Sequence, residues 1–314
     1  MALINSVSRA VPTPGDATLR QVALTEFVSS FPLAPYAEFY TFSGNSDELP
    51  GDAGDVGAGK TRTPSTGYTP VETPPTFKPV SLKIYGDLLQ TDKAWERRGQ
   101  QLDRQILYDL RKFAQGLGRY FMNAVVNHDT GADSEQLMGW KALIAAGDGT
   151  ETAWGSNGTV LDATNLQAFM ELLEEEIQQV PGGPTCIVAN HKFIARLGNL
   201  AREYVRVERG PNVFGQEQRL TSIQGIPLVN AGYGADGNAL VIPNNETQGT
   251  NNDTTSVYLI RFGERMDVTF ATSTGLDVQA LGMVGTKFQT LVEFDVNQVV
   301  LNAKSLRRIK GIRF

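Results

Sequence analysis

The chain has 314 residues, 41% of them hydrophobic and 20% charged, with 28 basic against 34 acidic side chains and a net charge of −6. This is the balance of a folded globular protein; it excludes a disordered chain and one that coats nucleic acid by overall charge, leaving only a local basic face for such contact. The single Cys186 excludes an internal disulfide, and with only His128 and His191 beside it no metal or cofactor site is expected.

No run approaches the roughly 18 apolar residues of a membrane span. The start, Met1-Ala-Leu-Ile-Asn, lacks the basic and apolar regions of a secretory signal, so synthesis in a cytoplasm is expected. The sequons at Asn157, Asn245 and Asn252 are then chance matches.

Residues 1–35 carry Pro12, Pro14, Pro32 and Pro35 around one short apolar patch, Leu24 to Phe31. That composition predicts an extended arm that needs a partner surface. Residues 36–42 alternate as a strand does, and Val80 to Leu89 reads as a second, with Val80, Leu82 and Ile84 on one face. Between them Ser43 to Pro79 is rich in Gly, Pro, Asp and Thr. A loop of about 37 residues far exceeds the usual ~12–15, and such loops are functional or disordered. An arm and a projecting loop suit a subunit that clasps neighbours.

Thr91 to His128 predicts a long helix. Leu102, Ile106, Leu110, Phe113, Leu117, Phe121 and Ala124 form one apolar stripe. Arg97, Arg104, Arg111 and Arg119 fall on the opposite face with Tyr108. Thr91 or Asp92 supplies a cap, and Asp129 to Gly131 a stop. About 37 residues would make a rod of roughly 55 Å, which needs a lengthwise partner. Gly99, Gly116 and Gly118 each cost about 1 kcal/mol in a helix, and a break near Gly99 is allowed for.

Beyond it, Leu137 to Ile144 leads into a Gly-rich turn, and Thr164 caps a helix with Leu166, Phe169, Leu173 and Ile177 inward. Thr185 to Ala189 is a buried strand, and Asn190 caps a helix towards Ala201. Leu220 to Val229 is a strand pair around Gly225. Ala239 to Ile242 and Val257 to Phe262 are strands separated by a polar loop, Asn244 to Thr255. Gly285 to Asn302 is almost pure strand and is expected to lie along the long helix. Leu306 to Phe314 is short and basic.

Gly54 to Thr61 fits the P-loop pattern G-x-x-x-x-G-K-[ST] letter for letter. That motif needs a buried strand before it and a helix after it. Here no apolar strand directly precedes Gly54, and Pro64, Pro70, Pro74 and Pro75 forbid the helix. A Gly-rich tip is the better reading, with P-loop nucleotide binding as the alternative. Cys186 and His191 lack an orienting carboxylate or oxyanion site, so no catalytic residue is expected. Glu174 to Glu176 reads as a solvated helix face, and the arginine stripe as a solvated, neighbour-facing or interior basic face.

The order of these elements resembles the major capsid protein of tailed bacteriophages, the Hong Kong 97-type fold. Val80 to Arg98 and the following helix resemble that family's extended loop entering its spine helix, and Asp129 through Gly139-Trp140 the turn at that helix's end. Thr185 to Leu197 is similar to its axial strand-then-helix, Leu220 to Val229 to its Gly-x-Pro-Val strand pair, and Phe288 to Ile312 to its closing strands. The resemblance implies an α+β fold with an N-terminal arm (1–35), an extended loop (36–88), a peripheral domain with the spine helix (89–146 and 276–314) and an axial domain (147–275). It implies a non-enzymatic subunit whose hexamers and pentamers close an icosahedral shell around double-stranded DNA, touched only weakly and without sequence preference.

Implied partners are further copies, a separate scaffolding protein, a portal and a decoration protein, with no membrane, and the implied location is the virion capsid, assembled in the host cytoplasm. Candidate inter-subunit contacts are Gly54, Gly57, Gly59, Lys60, Arg62, Arg97 and Arg98, with Arg104, Arg111 and Arg119 as the basic stripe. Lys60 is also the position for a covalent cross-link, which the loop's length and composition argue against. A third reading keeps the fold but encloses protein cargo, as an encapsulin-like nanocompartment.

Overall fold

The structure, a computed structural model, describes residues 14–51, 64–65, 76–94, 102–202, 204–209 and 219–314. The first element corrects the expected extended arm. Pro14–Ser30 is a helix, α1, with Leu24, Phe27, Val28 and Phe31 buried along one side. Proline suits the first position of a helix, where its missing N–H costs nothing. The stripe gains its stability only from the helix it packs on, so composition alone hid it.

Strand β1 (Phe39–Thr41) follows, then β2 (Ser46–Gly51) and β3 (Thr76–Ser81), which pair antiparallel, and β4 (Lys83–Asp92). The single expected strand over Val80–Leu89 is therefore two. At Leu82 the chain leaves β2 and takes the strand at Lys287–Val300 as its partner, and the inward parity changes. Val80 is buried, but so is Tyr85, while Ile84 is 68% exposed.

The spine helix α2 spans Leu102–Asn127, about 39 Å of rod. It ends where expected but does not begin at Thr91. That residue lies in β4, one before its end, and its hydroxyl donates to Asp109 on α2 at 2.8 Å. Helix α3 (Trp140–Ala145), β5 (Thr150–Ala153) and β6 (Thr159–Val160) follow. Helix α4 (Leu166–Gln178) is preceded not by a Thr164 cap but by Asp162, whose carboxylate accepts from the Thr164 and Asn165 amides. Strand β7 (Cys186–Ala189) and helix α5 (His191–Leu200) are as expected, with Asn190 accepting from the Phe193 amide at 2.8 Å.

Next come β8 (Val205–Arg209), β9 (Arg219–Ile223), β10 (Ile226–Asn230), β11 (Glu246–Gln248) and β12 (Asn251–Ile260). Ala239–Ile242 forms only a bridge from Leu240 to Tyr233. The polar stretch 251–255, expected as loop, is strand because β11 and the final strand flank it and bury Thr254 and Thr255. Strands β13 (Val268–Val284) and β14 (Lys287–Val300) form a long hairpin, and β15 (Leu306–Arg313) ends the fold.

Two main sheets result. The four-stranded sheet runs β1-β13-β14-β4, and the larger one β5-β15-β12-β7-β10-β9-β8, with β6 and β11 attached. The segment 276–314 thus divides: β13 and β14 lie in the first sheet, while β15 crosses into the second. The larger sheet is covered on both faces, with Cys186 and Val188 towards the spine helix and Ile187 and Ala189 towards α4 and α5. That is why β7 reads as an unbroken apolar run.

Under the spine helix, six phenylalanines from five elements meet: Phe27, Phe31, Phe39, Phe121, Phe270 and Phe294. Ring centroids lie 5.1 Å apart for Phe31–Phe121, 5.2 Å for Phe121–Phe294 and 5.3 Å for Phe27–Phe294. Each buried ring contributes about 1.5–3 kcal/mol by area. Gln298 of β14 donates to the Val125 and Met138 carbonyls, so the closing strands do run along the helix.

Candidate functional site

Among the described residues, three surfaces carry the sequence-predicted contact region or border it: the β2–β3 stem, the joint where β4 passes the end of α2, and the outer face of α2. In the stem, Leu49 and Val80 face inward onto Tyr40, Val299 and Leu301. The Lys78 ammonium donates to Asp148 and to the Val300 carbonyl, at 2.7 Å for the latter. Alternation then turns Phe77 outward, 53% exposed, opposite Pro50, with exposed Pro79 and Glu48 beside it.

The stem's connecting segment holds Gly54, Gly57, Gly59, Lys60 and Arg62, which lie outside the described residues, as do Arg97 and Arg98. The strand before the P-loop-like motif, β2, belongs to a two-stranded antiparallel sheet with three of its six residues exposed. It is not the buried strand that such a site requires.

At the joint, Tyr85 of β4 accepts a hydrogen bond from the Leu137 amide at 2.9 Å, and Lys83 donates to the Ser134 carbonyl. The loop after α2 is thereby strapped to the base of the stem. His128 sits inside the joint, its ring 5.2 Å from Tyr120 and 6.4 Å from Tyr85, with Nδ1 buried and without a hydrogen-bond partner among the described residues. Burial holds its pKa below the ordinary histidine value, against an opposing pull from Asp133.

The arginine stripe is not uniform. The Arg104 side chain lies outside the described residues. Arg111 is 3.9 Å from Glu26 of α1, which also accepts from Gln115 at 2.7 Å. Arg119 makes no ion pair among the described residues and lines a cleft of about 300 Å³ with Ser29, Ser30 and Tyr233. The sequence missed this division because it did not foresee the α1 helix.

Two glycines on α2 have opposite surroundings. A Cβ on Gly118 would lie 2.8 Å from the Phe27 carbonyl oxygen, so the backbone of α1 comes close there. A Cβ on Gly116 would meet nothing within 4 Å. Gly116 instead lines an open groove of about 380 Å³, with Phe113, Leu117 and Tyr120 beneath and Lys112, Gly86 and Asp87 at its edges.

Several other charges are structural. Glu176, expected in solvent, is buried against Arg307 and accepts from Thr152. The basic C-terminal segment is paired throughout: Arg308 with Glu151 and Glu246, Lys310 with Glu151, and Arg313 with Asp253 at 2.8 Å. Burial works to raise the Glu246 pKa, but Arg308 and Lys141 outweigh it and hold the carboxyl below the ordinary value. Cys186 is fully buried, its thiol pKa pushed up by burial, while His191 is exposed against Tyr233. Among the described residues, no group of three or more His, Cys, Asp or Glu could hold a metal, and no helix is long and apolar enough to cross a membrane.

No protein-family model and no curated protein matches this sequence. Solved structures do. The SrpI encapsulin of Synechococcus elongatus PCC 7942, in its holo complex, aligns over 98% of this chain and 92% of its own at 16% identity, with a TM-score of 0.59. The capsid of the native GTA particle aligns over 90% of each chain at 13% identity, TM-score 0.61. The Mycobacterium phage Bobi structure aligns over 90% of each at 12% identity, TM-score 0.55. Matches this long place the α+β chain in the Hong Kong 97-type fold shared by capsid and encapsulin shells.

Proposed function

We propose that the chain is the structural subunit of a self-assembling icosahedral shell, of the major capsid protein kind. The observation that carries this reading is agreement with capsid folds over nine-tenths of the chain. The outward Phe77 face of the stem and the open groove on α2 add to it, since both leave apolar surface exposed among the described residues. Shell interfaces must together exceed the ~1,200–2,000 Å² of an ordinary complex, and projecting elements provide that area by overlapping neighbours. The role is assembly, not turnover.

In the finer reading, hexamers and pentamers enclose double-stranded DNA in a virion capsid formed in the host cytoplasm, with a scaffolding protein, a portal and a decoration protein as partners. Gly54, Gly57, Gly59, Lys60, Arg62, Arg97 and Arg98 belong to the contacts between copies. The chain divides into α1 with its flanks (1–35), the stem (36–88), a peripheral unit around α2, β13 and β14, and an axial unit around the large sheet, to which we assign β15 on the strength of its pairing with β12.

An encapsulin-like shell around protein cargo is the second reading, favoured by the 98% coverage in the SrpI alignment. Negative-stain microscopy of the expressed chain, alone and with a co-expressed scaffold, tests the shell, which soluble monomers under every condition would overturn. Nuclease-protected DNA in purified particles supports the capsid reading, and an enclosed protein without DNA the other. ATP or GTP retention abolished by Lys60→Ala would revive the nucleotide-binding alternative.

A further inference from the structure

We propose that the cleft at Arg119 is a phosphate seat, through which the subunit holds the backbone of an enclosed nucleic acid; this rests on the shell reading above. Three elements distant in sequence form it. Ser29 and Ser30 end α1, Arg119 lies on α2, and Tyr233 and Gly237 belong to the turn after β10. Its volume of about 300 Å³ is at the small end of ligand sites. Arg119 is the one charged residue in the described lining. Among the described residues it makes no ion pair and donates no hydrogen bond, so the five N–H groups of its guanidinium are free for an acceptor.

The surroundings hold this cation in place without neutralising it. The C-terminal turn of α1 favours a positive charge beside it, and the bare backbone of Gly237 gives the guanidinium room, since a Cβ there would lie 3.5 Å from Nη1. Carboxylates on the flanking elements are engaged elsewhere: Glu26 with Gln115 and Arg111, and Asp236 with the Asn238 and Ala239 amides of its own turn. Ser29 donates its hydroxyl proton to the Glu26 carbonyl at 2.9 Å, whereas the Ser30 hydroxyl has no partner among the described residues. A planar guanidinium fork beside a free hydroxyl matches the oxygens of a phosphate. The described lining contains no Leu, Ile, Val, Met or Phe to hold the side chains of a peptide, which favours phosphate over an acidic protein segment. Net charge agrees as well. A chain at −6 repels a polyanion overall, so it can hold one only through local cations, and those of the C-terminal strand are already paired to carboxylates.

Binding of the full chain to a short fluorescent DNA duplex, titrated across salt, tests the seat. Arg119 is exposed, so Arg119→Gln keeps the fold. It is expected to weaken binding about tenfold at every sequence and to lower the slope of log affinity against log salt by about one, as loss of one phosphate contact does. Arg111→Gln, whose arginine already faces Glu26, is expected to change that slope far less. Equal effects of the two variants would mean a diffuse basic face and overturn the seat. Hydrogen exchange locates the contact: the duplex, and inorganic phosphate alone, are expected to slow exchange over 231–237 and at the end of α1 in the wild type but not in Arg119→Gln. Protection by phosphate with no duplex binding would assign the cleft to a free phosphate and overturn nucleic acid as its source. Displacement of the duplex by polyglutamate as readily as by unlabelled DNA would point to an acidic protein and overturn it too. Duplex binding unchanged by Arg119→Gln removes this inference alone, whereas a wild-type chain that never forms particles removes the shell reading.

Discussion

At Gly118 the Cβ of an alanine would press on the Phe27 carbonyl oxygen at 2.8 Å, a backbone atom that cannot swing aside. Gly118→Ala is expected to destabilise the unassembled chain by roughly 1–3 kcal/mol, the usual cost of overpacking. Gly116→Ala, two residues away in open space, is expected to stabilise it by about 1 kcal/mol. Urea titration of the two variants reads both, and equal signs would contradict the packing described. His128 gives a pH signature. Its folded pKa is lowered from 6.5, so the unfolded chain binds the proton more readily. The stability it contributes is complete above 6.5 and is lost as pH falls from there towards the folded value. Glu246, lowered from 4.5, adds a second loss that begins only below that pH. His128→Phe is expected to flatten the part of the stability profile that falls away just below pH 6.5 while leaving the loss below pH 4.5 in place, as thermal melts across pH would read.

Elements are joined by a few buried pairs whose members lie far apart in sequence. Arg307 of β15 and Glu176 of α4 are each almost fully buried and satisfy one another, with Gln179 and Thr152 completing the set. Glu176→Ala leaves a buried guanidinium unpaired and is expected to cost about 3–5 kcal/mol, whereas replacing both partners with apolar residues is expected to cost far less. A denaturation cycle on the two single variants and the double would expose additive behaviour if the pair is not coupled. Helix α1 is held through Phe27 and Phe31. Phe27→Ala is expected to cost about 3–5 kcal/mol, and hydrogen exchange should then show α1 opening before α2. Both sets of residues were visible in the sequence, but their partners were not. Glu176 sat in a run of three glutamates that reads as solvated, and α1 sat among prolines.

For the whole molecule, the spine helix and the order of elements were legible because their signals are local. An apolar stripe at three- and four-residue spacing from Leu102 to Ala124 can serve only as a helix face, and Asn190 before Phe193 reads as a cap without reference to anything else. Local chemistry likewise set β7 as a buried strand and the 287–300 segment as a long one. What only the tertiary structure decided is everything that depends on a partner distant in sequence: that residues 14–30 coil because α2 is there to receive them, that 251–255 extends because β11 and β15 flank it, and that the basic end of the chain is spent on Glu151, Glu176, Glu246 and Asp253. The same rule separates the two glycines. The sequence determined that both weaken the helix, and only the fold decided that one makes room for α1 while the other stands open, because the cost of a glycine is local and its use lies in whatever comes close.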